Sequence, residues 1–222
     1  MAVYYAPEVS DPLWRAGCAW LGRDAESGGR GAQPDVPGIA EWTAEPAAYG
    51  FHATLKPPMR LRTSYGAFRD DVAAVAGRIA PFELPALAVM DVGGFVALRE
   101  VAPCPALHAL SDRCVEGLDE HRAEAGEAEL ARRRAGDRLS EAQEAMLVRW
   151  GYPYVLATWF FHITLTRRLP EGERGVAIAA ANGHFAGKLG PRPVDAVTIF
   201  TQAGAGAPFL AAERVALGLR GR

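Results

Sequence analysis

The chain has 222 residues, half of them hydrophobic, with 24 basic against 26 acidic side chains and a net charge of -2. This balance excludes a disordered chain, which has too few apolar residues to build a core, and disfavours a protein held on nucleic acid by bulk charge. The length is enough for one large domain or two small lobes.

Met1 to Pro7 carries Tyr4 and Tyr5 but no basic stretch followed by an apolar run, and no uncharged window reaches the length of a membrane span. A cytoplasmic protein with no membrane contact is the expectation. Cys18, Cys104 and Cys114 cannot all pair within one chain and none stands at a CxxC spacing, as expected in a reducing compartment. Gly22 to Pro37, rich in Gly, Asp, Ser and Pro, reads as a loop with scope for mobility.

An internal repeat organises the remainder of the chain. Phe51-His52-Ala53-Thr54-Leu55 recurs 110 positions later as Phe161-His162-Ile163-Thr164-Leu165. After the first copy, Phe68, Val72, Val75 and Ile79 fall on one helical face ahead of Pro81, and Leu84 to Met90 and Phe95 to Val101 then read as a hairpin. After the second copy, residues 173–189 read as a helix with Ile178, Ala181, Phe185 and Leu189 on one stripe. Val194 to Thr201 and Phe209 to Leu217 make another hairpin. Each half is a motif strand, a helix and a hairpin, which predicts an α+β fold of antiparallel sheets covered by helices.

Between the halves, Pro105 to His121 reads as a helix with Leu107, Leu110, Cys114 and Leu118 inward. Residues 120–149 look like an insertion, with a capping box at Ser140 to Gln143 and a helix end at Trp150-Gly151. Its Arg132-Arg133-Arg134 run lies in a stretch with eight acidic and six basic residues between Asp119 and Arg149, so it reads as a solvated helix face.

Strand alternation puts His52, Thr54 and Lys56 on one side of the first motif, and His162, Thr164 and Thr166 on one side of the second. The composition yields roughly 0.016 chance HxTL matches, so two copies in matching context are a signal. Two imidazoles suit in-line displacement at phosphorus: one takes a proton from the attacking oxygen, the other protonates the leaving oxygen. Threonine hydroxyls beside them can hold the phosphoryl oxygens. These groups suffice without a metal or other cofactor.

Of the remaining residues, Lys56 and Arg168 fall on the histidine faces and are candidate phosphate ligands, Arg168 ranking above Arg167. Tyr49, Phe51 and Tyr154 are candidate groove aromatics, although aromatics beside strands are more often core and Phe51 falls on the apolar side of its motif; Thr166 is a further groove candidate. His108, His121 and His184 lack repeated context and read as bystanders.

The segments Tyr49-Gly50-Phe51-His52-Ala53-Thr54-Leu55-Lys56-Pro57-Pro58 and Phe160-Phe161-His162-Ile163-Thr164-Leu165-Thr166 resemble the paired HxT motifs of the two-histidine (2H) phosphoesterase superfamily. That superfamily includes bacterial RNA 2',3'-cyclic phosphodiesterases once called 2',5' RNA ligases. The wording is most similar to a branch associated with phosphonate-degradation genes.

The resemblance implies a single bilobal, pseudo-twofold domain over residues 1–222. Its first repeat covers about 49–101, the connection 105–151 and the second repeat 155–219, with strands free to exchange between lobes. It also implies phosphodiester hydrolysis without metal by His52, Thr54, His162 and Thr164. A small cyclic phosphate of a sugar or nucleotide is the favoured substrate, with RNA ends or a non-catalytic phosphate-ligand sensor as alternatives.

Overall fold

The computed structural model describes residues 1–134 and 138–218. Position 219 and residues 135–137 of the predicted insertion lie outside them. The chain is α+β, with every strand pair antiparallel. It opens with β1 (Ala2–Tyr5), α1 (Pro12–Leu21), α2 (Ile39–Tyr49), β2 (Ala53–Lys56) and α3 (Tyr65–Ala76). Then come β3 (Phe82–Leu84), the hairpin β4 (Leu87–Asp91) and β5 (Val96–Glu100), α4 (Pro105–Gly117), α5 (Glu127–Arg134), α6 (Glu141–Trp150) and β6 (Ile163–Thr164). The chain ends with α7 (Glu171–Phe185), β7 (Arg192–Val194) and the hairpin β8 (Ala196–Gln202) and β9 (Phe209–Ala216).

Two sheets carry the motifs. One runs in the order β2-β1-β8-β9, the other β4-β5-β6, and β3 pairs with β7 in a short ribbon. Each motif strand therefore joins the sheet made by the other half's hairpin. Both occupy sheet edges, β2 in one and β6 in the other. Two indole hydrogen bonds tie the motif segments to the other half: Trp159 Nε1 donates to the Thr54 carbonyl at 2.8 Å, and Trp20 Nε1 to that of Leu165 at 3.0 Å.

The apolar alternates of the motifs, Phe51, Ala53, Leu55, Phe161, Ile163 and Leu165, are all buried in the common core. Local signals set the helix ends. Asp11 caps α1, accepting from Leu13 N at 2.8 Å, and Pro12 needs no amide partner at that position. The Ser140–Gln143 capping box forms on α6, and Gly151 ends that helix at φ 73°. The helix expected up to His121 stops at Gly117, and Asp119–His121 continue as a 3-10 turn.

The loop from Gly22 to Pro37 is tethered rather than free. The Gln33 amide donates to the Trp20 carbonyl and to Thr43 Oγ1, both at 2.8 Å, and the backbones of Arg23 and Arg30 pair in an isolated antiparallel β-bridge. All three cysteines are unpaired thiols. No helix among the described residues is long and apolar enough to cross a membrane.

Helix α1 lies so close to the first motif that a Cβ on Gly17 would come within 2.2 Å of the buried Phe51 ring. Alanine usually favours a helix over glycine by about 1 kcal/mol, but displacing a packed ring costs about 1–3 kcal/mol. Gly17→Ala is expected to lower Tm by a few degrees in thermal unfolding. An unchanged or higher Tm contradicts this packing.

Candidate active site

The polar faces of both motifs line one cavity of about 580 Å3. His52 and Thr54 enter from β2 and the turn before it, His162 and Thr164 from β6 and the segment leading into it. The two histidines are held in the same way. His52 Nδ1 donates to the Gly50 carbonyl at 2.9 Å, and His162 Nδ1 to the Phe160 carbonyl at 3.2 Å, each two residues back. That bond assigns the proton to Nδ1 and leaves Nε2 as the basic nitrogen. The Thr54 hydroxyl is 3.3 Å from His52 Nε2.

Gly50 makes the first arrangement possible. Its φ of 86° belongs to glycine, and a Cβ there would lie 2.6 Å from that of Ala25.

Each ring also rests on an aromatic pad. Tyr4 stacks on His52 with centroids 3.7 Å apart and planes 22° apart, and Phe160 on His162 at 4.7 Å and 29°. The Arg99 guanidinium sits over the Phe160 ring, 5.1 Å from its centroid. Burial pushes His52 down to about 4, with a further contribution from the proximity of His162. Burial likewise lowers His162, and the positive charge of Arg99 adds to it. Both shifts favour the neutral imidazole.

The remaining expected residues divide. Tyr49, Tyr154, Thr166, Arg167 and Arg168 line the cavity. Thr166 has its hydroxyl committed to the backbone, accepting from Val96 N at 2.9 Å. Arg168 donates to the Gly93 carbonyl at 2.6 Å, and Arg167, ranked second by strand parity, reaches the same cavity while paired with Glu41. Phe51 is fully buried and stacks on Phe185, so it is core and not groove.

Lys56 departs from its expected place. Its side chain is 1 % exposed and its ammonium donates to the Val115 carbonyl at 2.8 Å and to Asp119 Oδ1 at 3.0 Å. The register explains why. Thr54 lies opposite Tyr4 but Lys56 opposite Val3, so two steps along β2 match one step along β1. This bulge inverts the alternation and turns Lys56 to the face opposite Thr54.

The three histidines read as bystanders stay outside the cavity lining. His121 is bound by Asp71 at 2.9 Å and Thr63 at 2.7 Å, His184 by the Ala16 carbonyl at 2.8 Å, and His108 packs edge-on to Trp159.

Sequence reasoning missed Tyr4, Phe95, Tyr152, Phe160 and Arg133, all in the lining. Arg133 corrects the reading of the arginine run. Arg134 does form a surface pair with Glu144, but Arg133 turns to the cavity with its guanidinium 5.0 Å from the Tyr152 centroid. Among the described residues, the lining carries Arg133, Arg167 and Arg168 against the one carboxylate of Glu45. Such a cavity offers an anion the two threonine hydroxyls, the arginines and any imidazole protonated at Nε2.

A family model described as "Protein of unknown function (DUF1045)" matches residues 54–210. The chain is 36% identical over 230 residues to ribose 1,5-bisphosphate phosphokinase PhnN of Janthinobacterium sp. (strain Marseille), the match covering 96% of this chain and 50% of that protein. With the protein of the same name from Laribacter hongkongensis (strain HLHK9) it shares 37% over 212 residues, covering 94% and 49%. The chain therefore spans about half the length of the curated relatives it matches. Similar solved structures are E. coli LigT complexed with 3'-AMP, at TM-score 0.45 and 16% identity over 97% of both chains, and with NADP+, at 0.44 and 14% over 98% of this chain and 97% of that one.

Proposed function

The chain belongs to the family described as protein of unknown function (DUF1045), and on that premise we propose that it is a 2H-type phosphodiesterase that opens a cyclic phosphate ester of a small sugar. The observation that carries this reading is the matched pair of His-x-Thr units on one cavity, each imidazole tied back through Nδ1 and offering Nε2.

In the proposed reaction one neutral imidazole takes a proton from a water as its oxygen bonds to phosphorus. The ring P–O bond breaks in line, and the other imidazole, as imidazolium, protonates the departing alkoxide. The product is a phosphomonoester. Thr54 and Thr164 donate to the non-bridging oxygens as charge accumulates there.

Three features favour a small anionic substrate. The cavity volume is that of a small-molecule site, arginines outnumber the acidic lining, and the relatives' name specifies ribose 1,5-bisphosphate. Opening a phosphate ring that joins C1 of ribose 5-phosphate to the neighbouring hydroxyl yields that compound, a step fitting the phosphonate-degradation setting the sequence resemblance implies.

The test is turnover of a panel of five-membered cyclic phosphodiesters, ribosyl and nucleoside, followed by phosphorus NMR. Release of a phosphomonoester from at least one is expected, and no turnover of any defeats the reading.

The lowered imidazoles also set the pH profile. The acid must be protonated and the base neutral, so kcat/KM is expected to be bell-shaped with its maximum below pH 6.5. A bound phosphodiester anion favours imidazolium, so the kcat profile is expected at higher pH than that of kcat/KM. Profiles flat from pH 5 to 9 contradict the assignment.

A further inference from the structure

Among the described residues, two buried polar atoms in the cavity lining have no hydrogen-bond partner: Tyr4 Oη and Arg133 Nε. Burying such groups unmatched is costly, and native folds satisfy nearly all of them. Both belong to the same lining as Tyr152, and Arg133 lies over the Tyr152 ring, 5.0 Å from its centroid.

Arg133 is held in place. Its Nη2 donates to Glu129 Oε1 at 2.9 Å across one turn of α5, and Tyr152 supports its face, so the free Nε belongs to a guanidinium whose orientation is already set. Tyr4 is fixed by its stack on His52 and lines the same cavity as Arg133 and Tyr152.

We propose that Arg133, Tyr4 and Tyr152 form a second anion subsite, separate from the scissile ester, that takes a terminal phosphomonoester of the substrate. The inference rests on the phosphodiesterase reading and deepens it by naming the substrate class: a cyclic phosphate that carries another phosphate elsewhere on the sugar. A phosphomonoester offers several acceptor oxygens to a planar guanidinium and a phenolic O–H, which matches the donors left over. The subsite also gives the connecting segment a function, since α5 delivers Arg133 to the cavity that both motifs line.

The test has two arms. In the first, ribose 5-phosphate, which has no ring to open, is titrated calorimetrically into the wild-type protein, Arg133→Ala, Tyr4→Phe and the His52→Ala/His162→Ala double variant. Wild-type binding is expected to weaken about 10- to 100-fold in Arg133→Ala and by a smaller factor in Tyr4→Phe. The loss in the double-histidine variant should be smaller than that in Arg133→Ala. Wild-type affinity in Arg133→Ala, or no binding by the wild type, overturns the subsite.

In the second arm, kcat/KM is compared for a ribosyl cyclic phosphate with and without the 5-phosphate. The wild type should prefer the phosphorylated compound, and Arg133→Ala should lose most of that preference, mainly through KM. An equal loss on both compounds marks Arg133 as merely structural and overturns the proposal. If neither compound is turned over, the phosphodiesterase reading falls, and the titration still decides the subsite.

Discussion

Replacing His52 or His162 by alanine is expected to lower kcat for a cyclic phosphodiester by about 100- to 10,000-fold, the range for loss of one general acid or base. The reasoning starts from the paired geometry. Each Nδ1 is committed to a carbonyl, so only Nε2 can exchange a proton with a ligand in the shared cavity. An in-line displacement needs a proton removed on one side and delivered on the other, and losing either half stalls the same step. The double variant should therefore be little worse than the poorer single one, well short of the product of the two losses. Steady-state kinetics on the single and double variants checks this. A single variant with wild-type kcat removes that imidazole from the chemistry, and strictly multiplicative losses would place the histidines in separate steps.

Asp119→Ala should be among the most destabilising single changes on the polar residues, at about 3 kcal/mol, because it strands the buried Lys56 ammonium. Asp119 also accepts from Arg122 Nε at 2.8 Å, and these bonds hold its carboxyl below the usual range despite partial burial. Lys56→Met should be milder, since it removes the buried charge and retains much of the side-chain volume. Both effects belong to folding, so KM for the cyclic ester should stay within about twofold in Lys56→Met, as expected for a change away from the binding surface. Denaturant unfolding together with steady-state kinetics reads both quantities. A tenfold rise in KM for Lys56→Met would restore lysine to the phosphate site, and equal destabilisation by the two variants would contradict the stranded-charge account.

The contrast between Lys56 and the histidines shows where the sequence was legible. Period-two alternation sorted His52 and Thr54 from Phe51, Ala53 and Leu55, although His52 stands just ahead of β2. It failed at the end of the strand, where a bulge that leaves no sequence mark inverts the faces. The hairpins β4–β5 and β8–β9 and the helices α3, α4 and α7 were read from periodicity, with ends shifted by a few residues.

Strand β1 escaped notice because all four of its residues are buried, which erases the alternation that marks a half-exposed strand. With it went Tyr4, the platform under His52. Helix α2 contains Pro46, which reads locally as a break. The pairing of each motif with the other half's hairpin is a long-range choice that local pattern cannot carry. Arg133 was hidden by its neighbours: Arg132 and Arg134 make the run look like a solvated face, and only the packing of Tyr152 turns the middle residue inward.

The most direct measurement is a crystal structure of the protein soaked with vanadate or phosphate. The paired-histidine mechanism predicts one anion bound between His52 Nε2 and His162 Nε2, with the Thr54 and Thr164 hydroxyls on its remaining oxygens. An anion touching only one of the imidazoles, or two rings too far apart to share it, would contradict the chemistry on which the proposed activity depends.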